Sequence, residues 1–449
     1  MMRTSVQTIS TVVDGGLCMG CGICTVVCQA EAINMRKCLR TGIILPEVND
    51  TRCIACGRCI QVCPGAEVDF ASLTKWFLNR DYSNELLGIY ETAYFSHAND
   101  HEIRFRSSSG GLVTALLLRM LETGHTHGAL VARMDPVDPL QVECFLAKTK
   151  NEILSASGSK YCPVSIGSAL RQILHVGGRY AIVGLPCHIH GVRKLEQINP
   201  EVCSHIIAHF GLVCRNTCTY KATEYFLKGH GIDPQLVTRL SYRGSGWPGR
   251  ITIETRDRFR HEFLRSANVQ NLHNRVIMTS AFLYDFLHPR CLVCADFMNE
   301  LADISFGDPW HRDVLRQETV GKSLVIVRTK TGKEIIEDAR ANGIISIEPI
   351  SETTILASQG YGFKKGFRSR ILVRRYLRRP VPRYPGKSGR LRIRSLFSFA
   401  MYIGSLCSHR EGIWPLIRLY AWCRHFAVAV AYGGVRRALC WQKAPTRSK

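Results

Sequence analysis

The pattern of apolar and polar positions divides this chain into stretches of different texture. From about residue 90 to 350, short runs rich in β-branched residues alternate with segments of helical periodicity. GALVARM (128–134), RYAIVGLP (179–186), HIIAHFGLVC (205–214) and SLVIVRTK (323–330) are predicted strands. RFRSSSGGLVTALLLRMLETG (104–124) predicts an apolar helix entered through serines and glycines. Such alternation predicts sheet and helix built into one core, neither all-β nor all-α. Residues from about 73 to 88 predict a linker helix leading into it. The expected fold class is α+β: a small N-terminal unit (1–72), an α/β core (88–350) and a basic, amphipathic, helical extension (353–449).

Charge changes the picture only at one end. The chain has 449 residues, enough for two or three domains. Its net charge of +23 suggests a nucleic-acid binder until it is located. Residues 353–449 hold 21 Lys and Arg against one acid, Glu411, so the body is nearly neutral. In that extension, basic residues interleave with Phe, Tyr, Trp and Leu, as in KKGFRSRILVRRYLRRPVPRYPGKSGRLRIR (364–394). No uninterrupted apolar run there approaches the roughly 18 residues that span a bilayer. The pattern suits peripheral contact with an anionic membrane face, docking of an acidic redox partner, or an ordinary basic helical lid on the body. No nucleic-acid partner is expected, because no matching fold motif accompanies the charge.

The chemistry is announced by cysteine. CMGCGICTVVC (18–28) and CIACGRCIQVCP (53–64) both follow C-x2-C-x2-C-x3-C. That is the spacing of two-cluster bacterial ferredoxins, in which the fourth cysteine of each run ligates the other cluster. One 4Fe-4S cluster is therefore expected on Cys18, Cys21, Cys24 and Cys63, and a second on Cys53, Cys56, Cys59 and Cys28. The first run ends in Gln29 where the second has Pro64, a small departure. Zinc would call for paired, separated CxxC units. A secreted disulfide scaffold is argued against by chain length and by the lack of a signal-like start. Twenty cysteines then imply a reducing compartment, so a cytoplasmic protein is expected.

Four further cysteines form a separate group. Cys187 and Cys214 end predicted strands, and Cys291 and Cys294 form CLVC. Together they can hold a third cubane or, alternatively, zinc, and Cys218 is a spare that could replace Cys214. Cys38, Cys144, Cys162 and Cys203 read as free or packed thiols. His188 and His190 lie beside Cys187, the first of the four proposed ligands. They are candidates for tuning the site or meeting substrate, with a structural role equally open. Ser107, Ser108, Ser109, Gly110 and Gly111 stand before the apolar helix, where backbone amides can meet phosphate, with Arg104 or Arg106 as a charged clamp.

SSSGGLVTALL, GSKYCPVSIG, GLPCHIHGVRK, SYRGSGWPG and CLVCADFMNELADISFGDPW occur in this order. In these blocks the chain resembles the coenzyme F420 hydrogenase/dehydrogenase beta-subunit family over residues 88–350, with a ferredoxin unit fused in front. The resemblance implies FAD beside a 4Fe-4S cluster ligated by Cys187, Cys214, Cys291 and Cys294. It implies FAD-binding positions at the serine–glycine block and Lys160, and a flavin-site wall at Asp303, Gly307 and Asp308. The basic extension is no part of the family's common core. Three clusters and FAD predict an oxidoreductase passing electrons between a ferredoxin-like donor or acceptor and a small organic substrate, F420 being the family's suggestion. His188, His190 and Lys160 are its candidate proton donors. The alternatives are a non-catalytic electron-transfer subunit and a structural or regulatory iron–sulfur protein.

Overall fold

The computed structural model describes residues 8–83, 86–265, 272–359, 366–387 and 404–424. Two strands, β1 (Ile33–Cys38) and β2 (Ile43–Val48), form an antiparallel hairpin between the two cysteine runs. The core is an eight-stranded mixed sheet. Its strands are β3 (Thr92–Ala98), β4 (Gly128–Met134), β5 (Val142–Ala147), β6 (Tyr180–Gly184), β7 (Ile206–Leu212), β11 (Ile304–Gly307), β12 (Ser323–Val327) and β13 (Ile345–Pro349). The intervening β8 (Val237–Ser241), β9 (Arg250–Thr255) and β10 (Arg260–Leu264) make a separate antiparallel meander.

Across the large sheet the order is β13-β3-β12-β11-β7-β6-β4-β5. β4, β6, β7 and β11 run parallel, and antiparallel strands complete both sides. The parallel strands are buried and nearly all apolar, as sheets covered on both faces require. Their carboxyl ends share one edge of the sheet, the edge where α/β folds bind ligands. Cys187 follows β6 by three residues, Cys214 follows β7 by two, and Asp308 immediately follows β11.

The predicted strands are present with shifted ends. The run at 205–214 starts one residue later, at Ile206, because Glu201–His205 closes a short helix first. The linker helix expected at 73–88 is instead Phe70–Leu78. Asp69 caps its start by accepting from the Ser72 amide, and Asn79 ends it in the left-handed conformation.

The N-terminal unit packs into the core through close approaches. Gly22 has a positive φ of 84°, and a Cβ there would meet Ser165 Oγ at 2.2 Å and the Gly167 amide at 2.9 Å. Ile23, fully buried, reaches over Gly191, whose added Cβ would lie 2.6 Å from Ile23 Cγ1. Ile23 thereby joins the same apolar cluster as Ile189, Val192 and Leu170.

Part of the basic extension also belongs to the body. Residues 366–387 form a strap across the junction, with Arg370, Arg374 and Lys387 turned inward and Arg375, Arg378, Arg379 and Arg383 exposed. The Arg383 amide donates to Ala66, and Val68 and Phe70 donate back to Arg383 and Pro385. Buried Arg374 donates to the carbonyls of Gly15, Gly16 and Pro380, and Arg370 donates to Leu292. Lys387 pairs with buried Glu300 and lies over the Phe70 ring at 4.6 Å. These cations are spent on carbonyls and one carboxylate, so they contribute little to a basic surface. The remainder of the 353–449 expectation falls partly on 360–365, 388–403 and 425–449, outside the described residues.

Candidate redox centre

Cysteines of the two ferredoxin-type runs lie together in the fold. Cys18, Cys24, Cys59 and Cys63 share one apolar cluster, with Cys28 packed against it. Burial raises the Cys21 thiol to about 12, and Cys63 beside it adds to the rise. Cys24 is raised by burial and then by Cys21, Cys18 and Cys63. The fourth cysteine of the second run therefore stands with the first three of the first run. Amides of Gly20 and Ala32 donate to the sulfurs of Cys18 and Cys28, each at 3.3 Å, the kind of bond that tunes an iron–sulfur site. Gly20, Gly22 and Gly57 all have positive φ, which lets these loops curl tightly. The two groups differ in depth: Cys18, Cys21, Cys24 and Cys63 are buried, whereas Cys56 is exposed beside outward-facing Ile54.

The second group of cysteines converges. Cys187, Cys214, Cys291 and Cys294 line one pocket with Met19, Leu185, Pro186, His188, Thr217, His288 and Asp296. Cys187 sits in the first turn of helix Pro186–Ile198, and Cys291 lies in the 3-10 turn Pro289–Val293. Burial raises Cys187 well above 9, followed by the influence of Cys21, Cys214, Cys291 and Cys294. Cys21 of the ferredoxin unit is thus a near neighbour of this pocket, and Met19 is part of its wall.

Four thiolates on one pocket suit a four-iron cluster, which gives each sulfur its own iron, and a four-thiolate zinc site would draw on the same donor set. The Thr217 amide donates to Cys291 Sγ at 3.4 Å. Cys218 does not line the pocket. It is buried in the aromatic cluster, its thiol donating to the Phe282 carbonyl at 3.5 Å.

Buried Arg290, missed in the sequence, lies between the two buried cysteine groups. It donates to the Gly65 carbonyl at 2.9 Å, and its charge acts on Cys18 and Cys63 on one side and is acted on by Cys291 and Cys294 on the other.

The three candidate proton donors are each already hydrogen-bonded within the protein. His188 accepts from the Leu185 amide through Nδ1, at 3.3 Å, and donates from Nε2 to the Val164 carbonyl at 3.1 Å. Burial pushes it down to about 4. His190 is buried with Nε2 2.7 Å from Asp296 Oδ2 and its ring edge-on to Phe70. Lys160 donates to the carbonyls of Ala156, Ser157 and Gly158, and burial lowers it to about 7.

The serine–glycine block meets other elements at the same sheet edge. Ser107 donates to the Ile103 carbonyl, Ser109 to that of Lys322, and the Gly110 amide to Ser323 Oγ. Gly111, with φ 77°, caps helix Leu112–Glu122. Ser108 Oγ accepts from the Ser159 amide at 2.7 Å, and its carbonyl accepts from Arg243. Arg243 also pairs with Asp308 at 3.0 Å, and Trp247 Nε1 donates to the same carboxylate. Burial works against that carboxylate, yet Arg243, Arg265 and Trp247 hold it below its ordinary range.

The charged clamp differs from the expected one. Arg106 turns outward to Glu102, and Arg104 is taken by Glu318 and the Gly321 carbonyl. Arg243 and Arg265 fill the place, with Arg243 Nε and Arg265 Nη1 buried and unpartnered. Burial and neighbouring Arg243 both lower Arg265, so the pair is short of negative charge. That is a setting an anionic diphosphate would relieve. Gly307 packs on Val213 at the end of β11. Asp303, at the other end of that strand, is tied into a buried network with Arg193, His209 and Thr329, away from this group.

Sequence comparison agrees with this architecture. Residues 17–66 match the profile of the 4Fe-4S dicluster domain. Residues 93–171 and 177–353 match the N-terminal and C-terminal profiles of the coenzyme F420 hydrogenase/dehydrogenase beta subunit. The coenzyme F420 hydrogenase subunit beta of Methanosarcina barkeri is 30% identical over 271 residues, 59% of this chain and 84% of the relative. The chain belongs to the coenzyme F420 hydrogenase/dehydrogenase beta-subunit family. Another relative, the coenzyme F420-dependent sulfite reductase of Methanocaldococcus jannaschii, is 25% identical over 371 residues, 77% of this chain and 49% of the relative. A chain of the F420-reducing nickel–iron hydrogenase complex from Methanosarcina barkeri shares the fold, with a TM-score of 0.51, 24% identity, and coverage of 67% of this chain and 98% of that one. The protein is thus an iron–sulfur member of an oxidoreductase family, with the dicluster unit in front of the family core.

Proposed function

We propose that this chain is an iron–sulfur flavoprotein oxidoreductase that exchanges electrons between a redox partner protein and an organic substrate. The observation that carries this reading is the meeting of Cys187, Cys214, Cys291 and Cys294 on one pocket with Met19 as wall and Cys21 beside it. Three cysteine groups then run from the surface, at Cys56, through the buried Cys18 group to the sheet edge. Iron–sulfur clusters supply one-electron transfer, and FAD supplies the link to two-electron hydride chemistry. Each residue group has a task within that reading. Cys53, Cys56, Cys59 and Cys28 would hold the cluster that faces a partner. Arg290 sets a buried positive charge where two anionic clusters would otherwise repel. Arg243, Arg265, Ser108 and the Gly111 amide would hold FAD through its diphosphate, with Asp308 fixing the angle of Arg243. Lys160, lowered by burial to about 7 and anchored on the carbonyls of Ala156, Ser157 and Gly158, would hold or release a proton beside them.

Relatives carry F420 in their names, so F420 is the first substrate to screen. Several are named as subunits, which favours the second reading, an electron-transfer subunit whose partner carries the substrate site. Co-purification and native mass separate the two. Among the described residues no helix is long and apolar enough to cross a membrane. Outward-facing Leu416, Leu419 and Trp422 keep peripheral membrane contact within the proposal, and sedimentation with anionic vesicles tests it.

The deciding experiment is anaerobic purification with iron, sulfide and flavin counted per chain. About twelve irons with one FAD support the proposal. About eight irons without flavin refute it and leave a two-cluster carrier.

A further inference from the structure

Two histidines line the pocket of Cys187, Cys214, Cys291 and Cys294, and they are not equivalent. His188 has both ring nitrogens bound to backbone groups. His288 has only one so bound. Its Nδ1 accepts from the Arg290 amide at 3.2 Å, capping the turn that carries Cys291 and Cys294. Its Nε2 is buried and has no partner, in a side chain only 3% exposed. An N–H pointing at Nδ1 demands a lone pair there, so the hydrogen of the neutral ring resides on Nε2. A donor left unpaired in a dry site is unfavourable, and a bound acceptor removes that penalty.

We infer that His288 Nε2–H donates a hydrogen bond to a sulfur of the four-iron cluster held by these cysteines and raises its reduction potential. This rests on the cluster reading above. Ligation of iron by Nε2 is disfavoured by the same geometry. It would need the lone pair on Nε2 and the hydrogen on Nδ1, where it would face the Arg290 amide. Donation suits the site better, because a hydrogen bond to sulfur stabilises the more negative, reduced cluster. The Thr217 amide already serves Cys291 Sγ in this way from another side.

The test uses the full chain, purified anaerobically, with iron and sulfide counted first. About eight irons in the unaltered protein would overturn the cluster reading itself. With about twelve present, EPR-monitored redox titration compares the protein with His288→Leu, which removes the donor, and His288→Gln, which keeps an N–H. The expected result is full iron content in both. Reduction of one cluster should become about tenfold less favourable in His288→Leu, about 59 mV for one electron, with a smaller shift in His288→Gln. An unchanged potential in His288→Leu overturns the inference. So does its conversion to a three-iron signal, which would make His288 a ligand. Should His288→Leu fail to hold the cluster, pulsed electron–nuclear double resonance on unaltered protein labelled with 15N-histidine decides. A 15N coupling with an exchangeable proton at the reduced cluster supports donation, and absence of both refutes it.

Discussion

Replacing Gly191 by alanine should have opposite consequences depending on residue 23. Gly191 lies inside helix Pro186–Ile198, where alanine is intrinsically better by about 1 kcal/mol. Against that, the new methyl group would stand 2.6 Å from Ile23 Cγ1, 3.3 Å from its Cβ and 3.6 Å from its Cδ1. Ile23 is fully buried and cannot retreat, so overpacking costs about 1–3 kcal/mol. Gly191→Ala alone is therefore neutral to destabilising, by up to about 2 kcal/mol. Ile23→Ala alone costs about 2–5 kcal/mol through the cavity it leaves. In that background Cγ1 and Cδ1 are gone, the clash shrinks to the Cβ contact, and the helix preference remains. Gly191→Ala then becomes neutral or stabilising, with a coupling of about 1–2 kcal/mol. Anaerobic urea titration of the cluster-loaded protein measures this by far-UV circular dichroism and cluster absorbance. Hydrogen exchange at the amides of Ile23–Val27 reports the same junction locally. Equal effects of Gly191→Ala in both backgrounds, within about 0.5 kcal/mol, would refute the seating of the ferredoxin unit on this helix.

The strap makes a similar prediction. Lys387→Met leaves Glu300 buried beside Asp296 and should cost about 3–5 kcal/mol in urea titration, with most of it recovered by adding Glu300→Gln. The crossed ligand sets predict that Cys63→Ser and Cys28→Ser each lower iron from about twelve to about eight while altering different EPR signals. Identical spectra from the two variants would sink the crossing. Arg265→Met should lower bound FAD per chain with iron unchanged, read from released flavin after denaturation. Lys160 is lowered by burial to about 7, against 10.5 when exposed, so between these values the unfolded chain holds more protons than the folded one. Stability should therefore rise from pH 7 toward 10. Lys160→Met should lose that rise, as followed by the urea midpoint.

What the sequence disclosed and what it hid follow from how each interaction is encoded. Cluster ligands are legible because covalent geometry fixes cysteine spacing within one loop, and strand ends are legible because apolar runs stop there. That combination brought Cys187, Cys214, Cys291 and Cys294 forward as one group although the last stands 107 positions after the first. The strap was hidden because its partners are carbonyls, which every residue possesses. Nothing in RSRILVRRY signals that Arg370 and Arg374 turn inward to Leu292, Gly15 and Gly16, so a buried guanidinium reads like a solvated one. The same reason conceals Arg290, whose partner is the Gly65 carbonyl. Arg243 had a usable signal, its place in the glycine-rich SYRGSGWPG block at 241–249, but Arg265 had none. His288 is the subtlest case. Its spacing from Cys291 marks no motif, and its relevance appears only when one ring nitrogen is seen to be bound and the other is not. Cysteine count thus announces where electrons can reside, whereas the buried cations and the unspent donor that would set their energies emerge only from the fold.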